Sequence, residues 1–493
     1  SGNGANLDGV SSGPVAQQAV TANSSTTTID LSSGNLIYMT QSANTTVAFA
    51  NTEGNTDVVY LVRTKDDNTT ARTLTWPSGI VWDGGSEPTI VDVNATDDYH
   101  VFKLTTRDNG ATWYGKEVFK NKTGGTLWGW GLKERLGKNP PGSYSSPIQI
   151  SSEIGWAVNV SIGASDNKSY TQEYGAGAIR TDGTLWVWGA NQYGRLGQNS
   201  VSHTGFSSPV QIPGTTWKTL NIGGANSYGM SAIKTDGTLW SWGRNQYGQL
   251  GVSNNTAYSS PVQVGSDTTW KACYISGTTG GGTKTDGTLW TWGRNSDQGS
   301  LGHSNLTNYN SPRQVGSDTG WDAIQGGWDH LMVSLKEDGT LWACGAGQMG
   351  INQPNAYARS SPVQIPGTNW AKTNAGAGFH NVQALKTDGT LWAWGNNTMG
   401  SLGQNNRTAY SSPVQVPGTT WDNVTAYYNN VLATKTDNTM WSWGTNGSGV
   451  LGQNQSYPNP GVGILLGMSS PVQIPGAWEQ GLAGNGINLG WKA

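Results

Sequence analysis

Apolar and polar residues alternate with a period of two over short stretches of this chain, and the stretches end in glycine, asparagine or aspartate. Within Ala232–Gly243, Leu239 shares one side with Ser241 while Trp240 and Trp242 share the other, which is the alternation of a strand. The Asp236-Gly237 pair just before it, between two β-prone runs, signals a hairpin turn. Gly243 and the following Asn-x-x-Gly-x-Leu-Gly, ending at Gly251, give a turn-rich exit. Helical periodicity never persists, so the pattern predicts β-structure throughout.

The phrase repeats. Gly-Thr-Leu-Trp-x-Trp-Gly recurs with its first tryptophan at Trp128, Trp186, Trp240, Trp290, Trp342, Trp392 and Trp441, spaced 58, 54, 50, 52, 50 and 49 residues apart. Cys344 replaces the second Trp in one copy and Met440 replaces Leu in another. A second phrase, Ser-Ser-Pro-Val-Gln-Ile/Val, keeps register and is followed in turn by Trp156, Trp217, Trp270, Trp321, Trp370, Trp421 and Trp478. Repeat position accounts for 20 of the 25 tryptophans, so most are expected to be core.

Three or four short strands per unit, repeated seven times, predict a β-propeller. The ends complete one another. Most repeats place a lysine 14 to 17 residues after the strand Trp, and Trp478 to Lys492 keeps that spacing just before the chain stops at Ala493. The missing continuation is Lys122–Trp128, so the last residues are expected to supply the first strands of a blade finished by residues 122–131, which leaves no open edge.

These phrases resemble the regulator-of-chromosome-condensation repeat family over about residues 120–493. The resemblance implies a seven-bladed propeller. Its founding member exchanges guanine nucleotides on a small GTPase and docks on chromatin, and a bacterial relative inhibits β-lactamases. This chain shows no long inserted hairpin like the exchange factor's wedge, which speaks against nucleotide exchange.

Residues 1–32 are rich in Ser, Thr, Gly and Asn and read as a flexible or docking arm. Residues 33–119 contain strand-like runs at 35–39, 46–49, 58–62, 72–76 and 100–104, expected to form a small β-sandwich or jelly roll. The words Leu74-Thr-Trp76-Pro77-Ser-Gly79, Pro88-Thr-Ile90 and Asp108-Asn-Gly-Ala-Thr-Trp113-Tyr114-Gly115 resemble β-modules of bacteriophage tail fibres and other virion appendages. That resemblance implies a virion location, attachment to other virion proteins through the N-terminal region, and release by lysis. The absence of a signal-peptide pattern at Ser1–Ser12 fits that route. The expected class is thus all-β: a sandwich module followed by a propeller closed by both ends.

Composition narrows the function. Lys and Arg number 28 against 31 Asp and Glu, a net charge of −3, and charged residues are 12% of the chain against about 25% in average proteins. This offers no basic surface for nucleic acid. No apolar run approaches the ~20 residues that span a bilayer, so no membrane insertion is expected. Cys273 and Cys344 read as buried thiols, and the five histidines lack metal-ligand spacing, so neither metal nor cofactor is expected. Asp166 and Glu173, on a lengthened loop, are the one carboxylate pair away from the repeat turns, and the chain is expected not to be an enzyme.

Between each strand Trp and its Asp-Gly turn lies a loop that does not repeat. These loops carry Tyr228, Trp328, Asp329, His330, Phe379, His380, Tyr427 and Tyr428, aromatic and polar groups suited to a host-surface glycan or protein, or else wedged between blades. The longest loop after a Leu-Gly carries Ile464, Leu465 and Leu466, expected on the opposite face as a subunit contact of a homo-oligomer or as an internal plug. The favoured function is a bacteriophage virion protein that binds a host receptor. A structural decoration protein and a soluble inhibitor-like binder are the alternatives.

Overall fold

The computed structural model describes residues 17–33, 36–50, 58–65, 74–77, 80–82, 99–106, 113–120, 126–131, 144–150, 156–163, 175–201, 205–223, 228–295, 298–326, 331–353, 358–374, 377–378, 381–446, 449–454, 467–484 and 487–492. The chain forms two compact units, Ser1–Thr123 and Gly124–Ala493.

The N-terminal unit is a two-sheet sandwich. Gln17–Ala22, Leu36–Gln41 and Val58–Lys65 pair in parallel in one sheet, while Thr26–Asp30, Thr45–Ala50 and Leu74–Thr75 pair in parallel in the other. The chain therefore crosses from sheet to sheet after each of these strands. A hairpin of Tyr99–Thr106 and Trp113–Lys120 extends the larger sheet. Ile29, Val47 and Leu74 from one sheet meet Ile37, Met39, Leu61 and Phe102 from the other, and Trp76 stands edge-on to Phe102 at 4.7 Å. Parallel winding thus replaces the antiparallel strands of a jelly roll. The strands also begin inside the stretch read as an arm, because Ala22, Ile29 and Leu31, too few to form a core alone, bury themselves against the strands that follow.

The second unit is a seven-bladed propeller. Blade 2 is typical: Trp217–Ile222, Gly229–Lys234, Leu239–Gly243 and Tyr258–Gln263 pair antiparallel in chain order. Blade 1 spans Trp156–Ile212, blade 3 Trp270–Gln314, blade 4 Trp321–Ile365, blade 5 Trp370–Gln415 and blade 6 Trp421–Ile474. Blade 7 takes Gln480–Ala483 and Ile487–Lys492 from one end of the chain and Thr126–Gly131 and Tyr144–Gln149 from the other. Its seam is an antiparallel pairing running from Thr126 opposite Lys492 to Gly131 opposite Ile487. The ring is closed as the sequence implies.

Three tryptophans build each typical blade. Trp217 meets Trp240 at 6.3 Å and Trp242 at 6.1 Å, and Lys234 Nζ lies 4.8 Å and 4.0 Å from the first two rings. Blade 7 rebuilds this from both termini, with Trp478 against Trp128 and Trp130 at 6.2 and 5.7 Å and Lys492 over Trp128 and Trp478. The second Trp of the phrase is fully buried, and in four blades it reaches backwards: Trp242 Nε1 donates to the Arg195 carbonyl at 2.8 Å, Trp292 to Gln249 at 2.9 Å, Trp443 to Ser401 at 2.9 Å and Trp130 to Val450 at 2.7 Å, whereas the buried Trp394 N–H has no acceptor among the described residues. Cys344, standing where Trp would, keeps the contact through Sγ to the Ser300 carbonyl at 3.4 Å. Each acceptor belongs to the preceding blade. The Leu-Gly step repeats because Gly251, at φ +73°, would with a Cβ stand 2.8 Å from Trp292 Nε1.

The Asp-Gly turn also joins blades. Asp236 Oδ1 accepts from the Thr238 backbone N–H and hydroxyl at 2.9 and 2.6 Å, and Thr238 Oγ1 in turn accepts from Trp240 Nε1 at 2.9 Å. Gly237, at φ +78°, offers its carbonyl to the Trp270 N–H of the next blade at 3.1 Å.

Three outcomes follow for stability. Deleting 478–493 strips Thr126–Gly131 of its seam partner, and the propeller is expected to lose cooperative melting in calorimetry; a wild-type transition would refute closure. Trp242→Ala is expected to cost about 3–5 kcal/mol in denaturant unfolding, and an unchanged midpoint would remove the indole from the account. The Thr hydroxyl and N–H hold the Asp236, Asp286 and Asp388 carboxyls below their usual value. A pKa lowered on folding stabilises above the unfolded value of about 4 and is lost as pH falls through the folded one. Melting temperature should therefore drop on acidification below about pH 4, and converting the three to Asn should flatten that drop; an equally steep drop in the triple variant would contradict it.

Candidate binding face

Antiparallel strands in chain order place the connection between a blade's first and second strands at the same edge as that between its third and fourth. Hydrogen bonds confirm this: the Arg244 N–H donates to the Tyr228 carbonyl at 2.9 Å, Arg294 to Thr278 at 2.9 Å and Thr445 to Asn429 at 2.8 Å. The connection carrying Ile464, Leu465 and Leu466 leaves from Thr445 and returns at Gly467, which pair with each other, so it starts and ends on the loop face, not the opposite one. The opposite face carries the Asp-Gly turns.

Ile464, Leu465 and Leu466 themselves lie outside the described residues, as do Trp328, Asp329, His330, Phe379, His380, Asp166 and Glu173. Tyr427 is not on a loop. Its strand, Trp421–Tyr428, runs longer than expected, and Tyr427 is buried in the core of blades 6 and 7 with Trp130, Leu432 and Trp478. Tyr428 pairs in parallel with Gly378, which adds a fifth strand to blade 6. Tyr228 is buried too, at 7% exposure, so it supports the face more than it lines it.

What Tyr228 supports was not singled out from the sequence. Its ring lies 5.2 Å from that of Tyr193, on the connection after the third strand of blade 1, and Tyr193 is 46% exposed. Arg195 sits 5.6 Å from the Tyr228 ring, and Arg244 sits 5.3 Å from Tyr193 and 5.7 Å from Tyr228. Arg195 Nε is fixed by the Ala190 carbonyl at 2.9 Å, and Arg294 lies 5.0 Å from Tyr247 one blade further on. Among the described residues eleven non-glycines have positive φ, mostly Asn and Ser in turns; the two aromatics are Tyr193 at +57° and Tyr228 at +35°. Bulky residues there cost about 1–3 kcal/mol each, and both meet in one ring contact. The sequence signal was the pair Arg244 and Arg294 where other blades carry Ala190, Ala346, Asn396 and Thr445, obscured because Asn-x-x-Gly reads as a turn.

Other chemistry is sparse. Burial pushes the Cys273 thiol up to about 11 and raises Cys344 as well; Cys344 is buried as expected, whereas Cys273 is half-buried. Among the described residues no group of three or more His, Cys, Asp or Glu is placed to hold a metal ion. Among the described residues no helix is long and apolar enough to cross a membrane.

The propeller is thus a seven-bladed ring carrying the regulator of chromosome condensation (RCC1) repeat, whose family model matches residues 182–222, 236–277, 286–334 and 388–426. Among curated proteins the chain is similar to the Ultraviolet-B receptor UVR8 of Arabidopsis thaliana, 28% identical over 282 residues, covering 55% of this chain and 59% of that protein. It is also similar to the probable E3 ubiquitin-protein ligase HERC3 of Homo sapiens, 32% identical over 179 residues, covering 35% of this chain and 17% of the ligase. The match to HERC3 runs through the repeats alone. The chain spans less than two thirds of the length of either relative. Prp20p of Saccharomyces cerevisiae superposes with a TM-score of 0.60 at 17% identity, covering 75% of this chain and 92% of that one. Human WBSCR16 does so with 0.61 at 15%, covering 74% and 98%. These structures share the fold.

Proposed function

We propose that the chain is a non-enzymatic recognition protein, a bacteriophage virion component whose propeller binds a host-surface receptor through its loop face. The observation that carries the recognition reading is the Tyr193–Tyr228–Arg244 cluster: two aromatic residues in a strained backbone, stacked with guanidinium groups, on a ring whose strands otherwise repeat. Constant strands under changing connections are what a binding scaffold needs. Tyr193 supplies rigid exposed area and the half-buried Arg244 a polar rim over the buried Arg195, the residue types that anchor interfaces. The virion setting, with attachment through the N-terminal unit to other virion proteins and a glycan or protein as receptor, rests on the resemblance of residues 74–115 to appendage modules. Binding of a protein partner by a soluble ring is a second reading, favoured by the described binding of Prp20p to Gsp1p and histones.

The test is attachment. Particles carrying the chain are expected to adsorb to the strain that propagates them and particles lacking it to fail. Tyr193→Asn, which keeps a residue tolerant of positive φ, should weaken adsorption about 30-fold, the equivalent of ~2 kcal/mol, with no change in melting temperature. Undiminished adsorption by either particle would overturn the proposal, and particles that fall apart without the chain would favour decoration.

A further inference from the structure

A second candidate lies on the outer rim, away from the loop-face cluster. Between blades 3 and 4 a cavity of about 490 Å³ opens, with Trp321, Trp342 and Pro362 among its walls. The two indoles stand edge to face, 6.1 Å apart. Trp321 is 2% exposed, and its indole N–H has no acceptor among the described residues. The same N–H lacks an acceptor in Trp270, Trp370 and Trp421, whereas Trp217 bonds the Pro213 carbonyl at 3.3 Å, so the unused donor is a property of the repeat.

Two other lining residues single this cavity out. The position after Leu-Gly is Gln198, Gln404 and Gln453 in three blades, Val252, Lys138 and, after Met-Gly, Ile351 in three others, and His303 here; the position after the Ser-Pro proline is Val210, Val262, Val363, Val414, Val472 or Ile148 elsewhere and Arg313 here. Both departures fall in one repeat and both line one cavity. The corresponding cavity between blades 1 and 2, which keeps Gln198, measures about 330 Å³. His303 Nε2 lies 3.0 Å from Thr291 Oγ1, and its ring is edge-on to Tyr309 at 5.1 Å. Burial and the nearby Arg313 push its pKa down to about 4, so the imidazole is neutral near pH 7. Lys336 is neutralised by Asp318 at 2.9 Å. Arg313, stacked 4.6 Å from the Tyr309 ring, has no carboxylate partner among the described residues.

We propose that this cavity is a saccharide-binding subsite that prefers a sugar bearing a carboxylate, such as a hexuronate. A pyranose offers C–H faces to indole and proline and hydroxyls to the rim of Ser304, Asn305 and Ser361, while the free indole donor and Arg313 meet ring oxygens and carboxylate. A cavity of a few hundred cubic ångströms suits a small polar ligand. A nucleotide would need more than one uncompensated cation, and an apolar ligand would leave the polar rim unpaired.

The experiment titrates the full chain with glucuronate and separately with glucose, read by saturation-transfer NMR. Glucuronate should bind more tightly than glucose. His303→Gln with Arg313→Val, which restores the commonest residues of the other blades, should weaken glucuronate at least tenfold with melting unchanged. Arg313→Val alone, at an exposed position, should abolish the preference for glucuronate. No transfer to either sugar from the wild type, or equal binding by the double variant, would overturn the subsite; neither result touches the Tyr193 cluster, which is tested by adsorption.

Discussion

Every blade of this propeller finishes its core in a neighbour. In blades 2, 3, 6 and 7 the indole at the end of the third strand buries itself and gives its N–H to a carbonyl of the preceding blade, as Trp242 does to Arg195 and Trp130 does to Val450; Cys344 Sγ takes that place in blade 4, and in blade 5 Trp394 is buried there without the bond. A blade alone would leave that ring in water and that carbonyl unpaired, and the loss would recur at any free end. A row of such blades is satisfied only when the last supports the first. This constraint explains why residues near 126 and near 490 share one sheet, and why the Leu-Gly step that makes room for the indole recurs so faithfully.

Closure by repeated side chains leaves the connections free to vary. The Asp-Gly turns do not use that freedom, since they carry the hydrogen bonds that pass from one blade to the next. The loop face does, with Tyr193, Tyr228 and three arginines gathered across blades 1 to 3. The rim does so in one place, where His303 and Arg313 replace the residues of the other repeats. The strained pair Tyr193 and Tyr228 and the departures His303 and Arg313 fall outside these repeated contacts, whereas Cys344 and Asn438 depart from the repeat and still make them.

Much of this was legible in the sequence. The spacing of Trp478 and Lys492 foretold the seam because a repeat broken across the termini can be completed in one way. Parallel winding in the N-terminal unit was not legible, since alternation along a strand says which side is buried and nothing about the direction of its neighbour. Val20, Ala22 and Ile29 were too sparse to announce strands, and they pack because later strands cover them. The error over Ile464 came from treating successive loop sets as alternating faces without following strand direction through four strands. Tyr427 looked like a loop residue because its strand extends past the length common to the other repeats. Tyr193 was passed over because its backbone conformation, which marks it, cannot be read from its neighbours.

The central claim is that the seam between the two ends is as strong as any junction within the ring. Hydrogen exchange followed by mass spectrometry on the intact chain measures this directly. Amides of Thr126–Gly131 and Ile487–Lys492 are expected to exchange together and as slowly as those of Leu289–Gly293 in blade 3, where no chain end intervenes. Exchange at the seam well ahead of blade 3 would show a ring held open at its ends and would contradict the account.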